Sequence, residues 1–426
     1  MPRVPRVAFF PDSFHEVNGV AHTARQFTAW AGRTGKPFLC IRAGERSKPY
    51  ALEGTVESLE LPRGFASFAL DKDLRYDPLY WRHTPRILGA LRAFRPDLIH
   101  ITGPSELGML GAALAHHLQV PLAASWHTNV HEYAASRSLW ALHLLPARFR
   151  PSAAFRIQAA ALRASAFFYS RARILFAPNP ALCLLLTART GRPCALMPRG
   201  IDAQLFSPAH RTVPDSQPLL ALNTASPSPQ HSHAQSHPGA CQELPPGPWT
   251  LGYVGRLSIE KNVALLPTIA RELNSRFHSL GLPGVRFLII GQGAQEQALR
   301  AAMPDATFAG VLRGLALAQA YANMDCFVFP SHTDTFGNVV LEALASGVPA
   351  VVTPDGGPAH IIRSSSGAGS ICQDAGFPQA IAAILADPIH HACLRAKARA
   401  YAETASWDSV FKGVYDAYCE AGMDAR

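Results

Sequence analysis

One order of residues recurs along the chain: a short apolar run, a turn carrying glycine or polar residues, then apolar residues at helical spacing. "RVAFFPDSF", "DLIHITGPSELGMLGAALAHHL" and "PLAASWHTN" show it in the first half. "WTLGYVGRLSIEKNVALLPTIARELN", "VRFLIIGQGAQEQALRAAM" and "CFVFPSHTDTFGNVVLEALASG" repeat it in the second. Iterated strand and helix predict an α/β protein with parallel sheets covered by helices on both faces. A chain of 426 residues is too long for one ordinary core, so two such domains are expected.

The boundary is marked by composition. Residues 209–248 ("NTASPSPQHSHAQSHPGACQELPPGP" within them) are rich in Pro, Ser, His and Gln and offer little to fill a core, so they read as a low-complexity linker or insertion. This predicts a first domain over 1–208, a second over 249–400, and a C-terminal helix over 401–426 that packs back towards the first domain. In that last segment Trp407, Val410, Phe411, Val414, Tyr415 and Tyr418 recur at helix spacing. Ligands of open parallel sheets bind beyond the strand C-termini, which makes a cleft between two such domains the expected site.

Charge is divided unevenly. The chain carries a net +12 through Pro208 and −3 beyond it, and no acidic residue occurs from Tyr133 to Ile201. Arginines there (Arg137, Arg148, Arg150, Arg156, Arg163, Arg171, Arg173, Arg189, Arg192, Arg199) alternate with Trp140, Phe149, Phe155, Phe167, Phe168 and Tyr169. Such a surface suits an anionic membrane, nucleic acid or a phosphorylated substrate, or it simply covers soluble helices. No nucleic-acid-binding motif accompanies it, so a nucleic-acid partner is not expected. No run of about 18 apolar residues is present, and the apolar stretch near the N-terminus is too short for a signal peptide. Eight cysteines without a C-x-x-C argue against a zinc ribbon or disulfide framework and favour the cytoplasm.

Two segments of the second half carry candidate chemistry. In "HTDTFGNVVLEALASG" a turn with Asp334 precedes a helix start at Phe336, Gly337, Asn338, Val339 and Val340, and Glu342 stands about one turn inside. Unpaired N–H groups at a helix start favour an anion, and the two acids can accept hydrogen bonds from hydroxyls. In "GYVGRLSIEKN" Arg256 and Lys261 follow a strand and could clamp a diphosphate. Each feature has a plainer reading: a helix-start acid, a solvated glutamate, a surface ion pair.

Other candidates are weaker. Gly291 and Gly293 in "GQG" lack the third glycine of a dinucleotide fingerprint and read as a structural turn. Asp71-Lys72-Asp73 has the shape of a metal-nucleotide motif but no apolar strand before it, and His231, His233 and His237 lie in the low-complexity segment. No serine stands in a G-x-S-x-G context. Asn18-Gly19 follows the first strand, where a glycine admits a close ligand. His127 ends a strand in "PLAASWHTN".

Together, "VNGV", "RPDLIHITGP", "PLAASWHTN", "RGIDAQLFSP", "GYVGRLSIEKN", "IIGQGAQEQAL" and "HTDTFGNVVLEALASGVPAVV", in this order, resemble the retaining, nucleotide-sugar-dependent glycosyltransferases of GT-B architecture, with two facing Rossmann-like domains. The similarity is to the branch with bacterial phosphatidylinositol mannosyltransferases and sulfolipid synthases. It implies a metal-independent hexosyltransferase, with GDP-mannose the favoured donor substrate, no cofactor, a lipid or glycan acceptor, and a peripheral position on the inner face of the cell membrane. It implies that Arg256 and Lys261 clamp the donor diphosphate, Asp334 contacts the transferred sugar, and Glu342 holds the ribose. It further implies that the Phe336–Val340 backbone meets sugar and phosphate, Gly19 closes over the diphosphate, and His127 lies near the donor sugar and acceptor hydroxyl. Asp334 departs from the glutamate usual in the family, shortening the reach by about 1.3 Å. A sugar-nucleotide epimerase or a phosphorylase on the same scaffold is the alternative within enzymes.

Overall fold

The computed structural model describes residues 4–16, 19–45, 50–71, 74–126, 150–212 and 248–423. They fall into two compact units, the first made of Met1–Gly200 and Trp407–Arg426 and the second of Ile201–Ser406.

In the first unit the strands are β1 (Val7–Phe10), β2 (Phe38–Gly44), β3 (Ala51–Glu53), β4 (Val56–Pro62), the pair β5 (Phe68–Asp71) and β6 (Leu74–Tyr76), β7 (Leu98–Ile101), β8 (Leu122–Ser125), β9 (Ile174–Ala177) and β10 (Cys194–Leu196). Its main sheet runs β10-β9-β8-β7-β1-β2-β4-β3, parallel throughout except for the β3/β4 pairing. Every residue of β1, β7, β8 and β9 is buried. That is why these strands read as mostly apolar runs rather than alternating ones, with His100 of β7 and Ser125 of β8 the polar exceptions that hydrogen-bond each other. Asp71 closes β5 opposite Leu74.

The helix Trp407–Glu420 belongs to this unit. Phe411 stacks on Phe27 of the helix Gly19–Arg33 with centroids 4.5 Å apart, and Trp407 stacks on Phe411. Tyr418 reaches the middle of the sheet, where its hydroxyl meets His100 Nδ1 on β7, while His100 Nε2 lies 2.5 Å from Ser125 Oγ on β8. Burial holds the His100 imidazole neutral, its pKa pressed down to about 3.

The second unit has β11 (Trp249–Val254), β12 (Val285–Ile290), β13 (Thr307–Gly310), β14 (Cys326–Phe329), β15 (Ala350–Val352) and β16 (Gly369–Ile371). They form one parallel sheet in the order β13-β12-β11-β14-β15-β16. Numbered within the unit this is 3-2-1-4-5-6, the doubly wound order whose ligand crevice opens where the winding reverses, here between β11 and β14.

The boundaries differ from those composition suggested. Residues 201–208 and 401–406 belong to the second unit: Ile201 donates its N–H to Ala405 O at 2.9 Å, and Arg399 binds the carbonyls of Ala203 and Phe206. The described residues on either side of 213–247 both belong to that second unit. Asp325 holds both flanks, taking Arg211 Nη2 on one oxygen at 2.6 Å and the Thr250 N–H on the other at 2.8 Å.

Candidate functional site

The site of the second unit is assembled from the two loops at the winding reversal. After β11, Leu257 is fully buried and pins the loop; it exchanges backbone hydrogen bonds with the Gln292–Gln295 turn, where Gln295 N donates to Leu257 O at 2.9 Å. The "GQG" turn therefore serves as a brace for this loop. Tyr253, buried at the strand end, donates its hydroxyl to Arg256 O at 2.9 Å. With its backbone so held, Arg256 directs a side chain that is 55% exposed toward solvent, beside Glu260 at 3.4 Å.

Lys261 turns inward. Its side chain is 13% exposed, its Nζ lies 2.6 Å from Asp334 Oδ2, and it stands 5.8 Å over the Phe329 ring. The loop after β14 carries Asp334 and leads into the helix Asn338–Ala345. Gly337 caps that helix in the left-handed region (φ 89), a conformation side chains rarely take. The loop also leans on a second pair of glycines. Gly357 N donates to Asp334 O at 3.0 Å, and a Cβ on Gly357 would fall 2.2 Å from Phe336 Cα, so nothing larger fits beneath the loop.

Glu342 lies one turn into the helix, and Tyr321 donates its hydroxyl to Glu342 Oε2 at 2.9 Å. Burial pushes the Glu342 carboxyl up to about 7, against the opposing pull of that hydrogen bond. Of the expected helix-start donors, Val340 is already committed: its N–H donates to Gly337 O at 3.0 Å and its side chain is in the core, which leaves the turn ahead of it for a ligand. Asn338 Oδ1, Ser258 Oγ and Ser331 Oγ are buried without a hydrogen-bond partner among the described residues.

Around this centre His332 ties the neighbouring loops together. Its Nδ1 lies 2.6 Å from Asp355 Oδ2 and its Nε2 2.9 Å from Asp374 Oδ1, while Asn262 donates to the other oxygen of Asp374. The loops after β11, β14, β15 and β16 are thereby joined. The hydrogen bond with Asp355, and then that with Asp374, raise the His332 pKa.

Arg256, Lys261, Asp334, Phe336, Gly337, Asn338, Val339, Val340 and Glu342 thus share one end of one sheet. Gly19 belongs to the first unit, where it opens a helix, its carbonyl taking Thr23 Oγ1 at 2.8 Å. His127 lies outside the described residues. Sequence reasoning passed over Tyr321, Tyr253, His332 and the Gly356-Gly357 pair. It also passed over Asp12, at the end of β1 in the first unit. Burial raises the Asp12 carboxyl to about 7, and Ser105 Oγ donates to it at 2.5 Å. No cluster of three or more His, Cys, Asp or Glu arranged for a metal ion occurs among the described residues.

Two family descriptions match this chain: Glycosyltransferase Family 4 over residues 17–205 and Glycosyl transferases group 1 over residues 248–387. A GDP-mannose-dependent alpha-mannosyltransferase of Mycobacterium tuberculosis is 32% identical over 84% of this chain and 81% of its own length. The sulfoquinovosyl transferase SQD2 of Arabidopsis thaliana is 29% identical over 67% of this chain and 48% of its own. In fold, the sucrose-phosphate synthase of Thermosynechococcus elongatus matches 98% of each chain with a TM-score of 0.63 at 17% identity. Two Rossmann-like units with parallel sheets, cations and acids gathered at the winding reversal of the second, and relatives along most of the chain lead to one assignment: this protein belongs to the nucleotide-sugar-dependent glycosyltransferases of GT-B type, related to the bacterial mannosyltransferases and sulfolipid synthases.

Proposed function

We propose that this chain is a retaining hexosyltransferase that moves mannose from GDP-mannose to a hydroxyl of a lipid or glycan acceptor without a metal. The observation that carries the proposal is the contact of Lys261 with Asp334 at the winding reversal, with Glu342 one helical turn beyond. A cation for a diphosphate, an acid for sugar hydroxyls and an acid for a ribose diol then follow one another along an extended donor. The preference for GDP-mannose is supported by relatives so named at 29% and 32% identity.

As the anomeric C–O bond breaks, negative charge grows on the departing diphosphate. Arg256, Lys261 and the N–H groups of the Phe336–Val339 turn are the groups to meet it, a preorganised electrostatic stabilisation. Retention follows from front-face attack, the acceptor hydroxyl entering on the side the diphosphate leaves and passing its proton to a departing phosphate oxygen. Asp334 orients the sugar, because an acid holding ring hydroxyls cannot also lie behind the anomeric carbon.

Transfer assays with GDP-mannose, UDP-glucose, UDP-galactose and ADP-glucose, with the anomer of the product read by NMR, test this. An inverted product, or a trapped glycosyl ester of Asp334, would remove the mechanism. Equal turnover of every donor would remove the donor assignment.

A bilayer is the proposed surface on which a lipid acceptor is met. No helix among the described residues is long and apolar enough to cross a membrane. On the first unit, however, Phe155, Phe167 and Leu184 are 71%, 66% and 73% exposed, among Arg156, Arg163, Arg171 and Arg189. Apolar rings beside arginines suit an anionic interface. Vesicle flotation with 30 mol% anionic lipid, approximate to an inner leaflet, should float the protein; indifference to anionic content would exclude docking.

A further inference from the structure

Tyr321 is one helix removed from the proposed donor contacts. It lies near the end of the helix Gly314–Ala322, fully buried, with its ring against Phe206 and Phe327 at centroid distances of 5.8 and 5.7 Å. Packing on both sides fixes the ring, and a fixed ring fixes its hydroxyl. That hydroxyl donates to Glu342 Oε2 and is the one hydrogen-bond partner of the Glu342 carboxylate among the described residues.

Several charged groups on the helices packed about Glu342 are engaged elsewhere, Arg395 among them, on Met324 O. Arg399, on the helix Pro388–Thr404, gives its guanidinium to the carbonyls of Ala203, Phe206 and Ala345 and to Glu403. On the helix Gly356–Ser364, Arg363 turns to Pro354 O. His360 on that helix has its pKa lowered by burial and by Arg363, which favours the neutral ring. Tyr253, the phenol nearest to Tyr321 on β11, donates to Arg256 O. Glu342 itself is half-buried, so one face of its carboxyl remains open to a ligand.

We propose that Tyr321 is a positioning residue for the donor: by occupying Oε2 it locks the Glu342 carboxyl in one orientation and leaves Oε1 preset to accept from the vicinal diol of a nucleoside diphosphate. This role rests on Glu342 being the diol acceptor. The phenol also favours the ionised carboxylate, the form that accepts from both hydroxyls, against the burial that opposes it. Removing the hydroxyl while keeping the ring therefore releases the carboxyl's orientation and raises the pH at which it ionises.

The test compares full-length wild type, Tyr321→Phe and Glu342→Gln in calorimetric binding of GDP and UDP, each beside its 2′,3′-dideoxy analogue, from pH 5.5 to 9. Wild type should prefer the nucleotide with a diol. In Tyr321→Phe that preference should fall about tenfold or more at pH 7, the scale of one hydrogen bond to a charged group, and the acid limb of binding should move to higher pH. Dideoxy affinity should stay the same. If Glu342→Gln abolishes the diol preference while Tyr321→Phe retains it with an unmoved pH profile, Tyr321 only packs and the proposal is overturned. If Glu342→Gln leaves the diol preference intact, the assignment of Glu342 fails and Tyr321 falls with it. A change in melting temperature alone, without a change in the diol preference, also counts against a positioning role.

Discussion

Lys261 Nζ donates to Asp334 Oδ2 across 2.6 Å, joining the loop after β11 to the loop after β14 at the point where the winding of the sheet reverses. The two residues proposed for phosphate and for sugar hold each other. Each is largely screened from water, so the pair ties the two loops together. A diphosphate brings further acceptors to the three donors of the ammonium without requiring the contact with Asp334 to break.

Lys261→Ala should lower turnover about 100-fold or more, as expected on removing an electrostatic donor from a preorganised site. Asp334→Asn keeps the shape and loses the charge, so it should weaken sugar selection more than nucleotide affinity. Steady-state kinetics with donor and with the free nucleoside diphosphate as inhibitor separate the two effects. Near-normal turnover in Lys261→Ala would end its assignment to the diphosphate.

Gly357→Ala should damage the site from below. Its new Cβ would meet Phe336 Cα at 2.2 Å, which forces the Asp334–Phe336 loop to move. Donor affinity should fall at least tenfold while circular dichroism stays native. Unchanged affinity would show that the loop tolerates displacement.

Glu342 makes the ligand-free protein sensitive to pH in a definite direction. Its carboxyl is raised from 4.5 to about 7 in the fold, so the native state favours the neutral acid. Stability from this group is present below the unfolded value and is lost as pH rises from about 4.5 to about 7, by up to about 3 kcal/mol at roughly 1.4 per unit. Glu342→Gln should therefore raise the melting temperature over wild type at pH 8 and leave it nearly unchanged at pH 4.5. The opposite ranking would mean that the carboxylate is stabilised in the fold.

His332 works in the other sense. Its pKa is raised by Asp355 and Asp374, so its contribution is fully present below the unfolded value of 6.5 and disappears as pH climbs through the folded value. The ring is over a third exposed, so solvent screening keeps the effect below about 1 kcal/mol. His332→Asn should lower the melting temperature by a few degrees at pH 6 and hardly at all at pH 9.

Phe411→Ala should cost about 3–5 kcal/mol, since it removes a buried ring stacked on both Phe27 and Trp407. Calorimetry should show the first unit losing stability. A purely second-unit transition would contradict the packing described.

The layered fold was legible because strands buried on both faces are mostly apolar, as in β1, β11 and β14. Arg256, Lys261, Asp334 and Glu342 could be found because each follows a strand at the edge where such sheets bind ligands. The exact domain boundary could not. Residues 201–212 carry no fold signal of their own, and Asp325, more than a hundred positions away, decides where Arg211 sits. Tyr321 and His332 were hidden for the same reason: their partners are separated by 21 to 42 positions, and no local spacing records a hydroxyl aimed at a carboxylate or a ring held between two loops.

The helix Trp407–Glu420 supplies Trp407, Phe411, Val414 and Tyr418 to the core of the first unit, although the whole second unit lies between it and the residues it packs against. On the ribosome, this means that the half begun first is completed only after the second unit has been made. The second unit can fold as soon as Ser406 has emerged, while the earlier sheet waits with one face only partly covered until the helix Trp407–Glu420 has followed. A nonsense mutation or proteolytic nick near residue 406 would spare the later-made domain and unfold the earlier one.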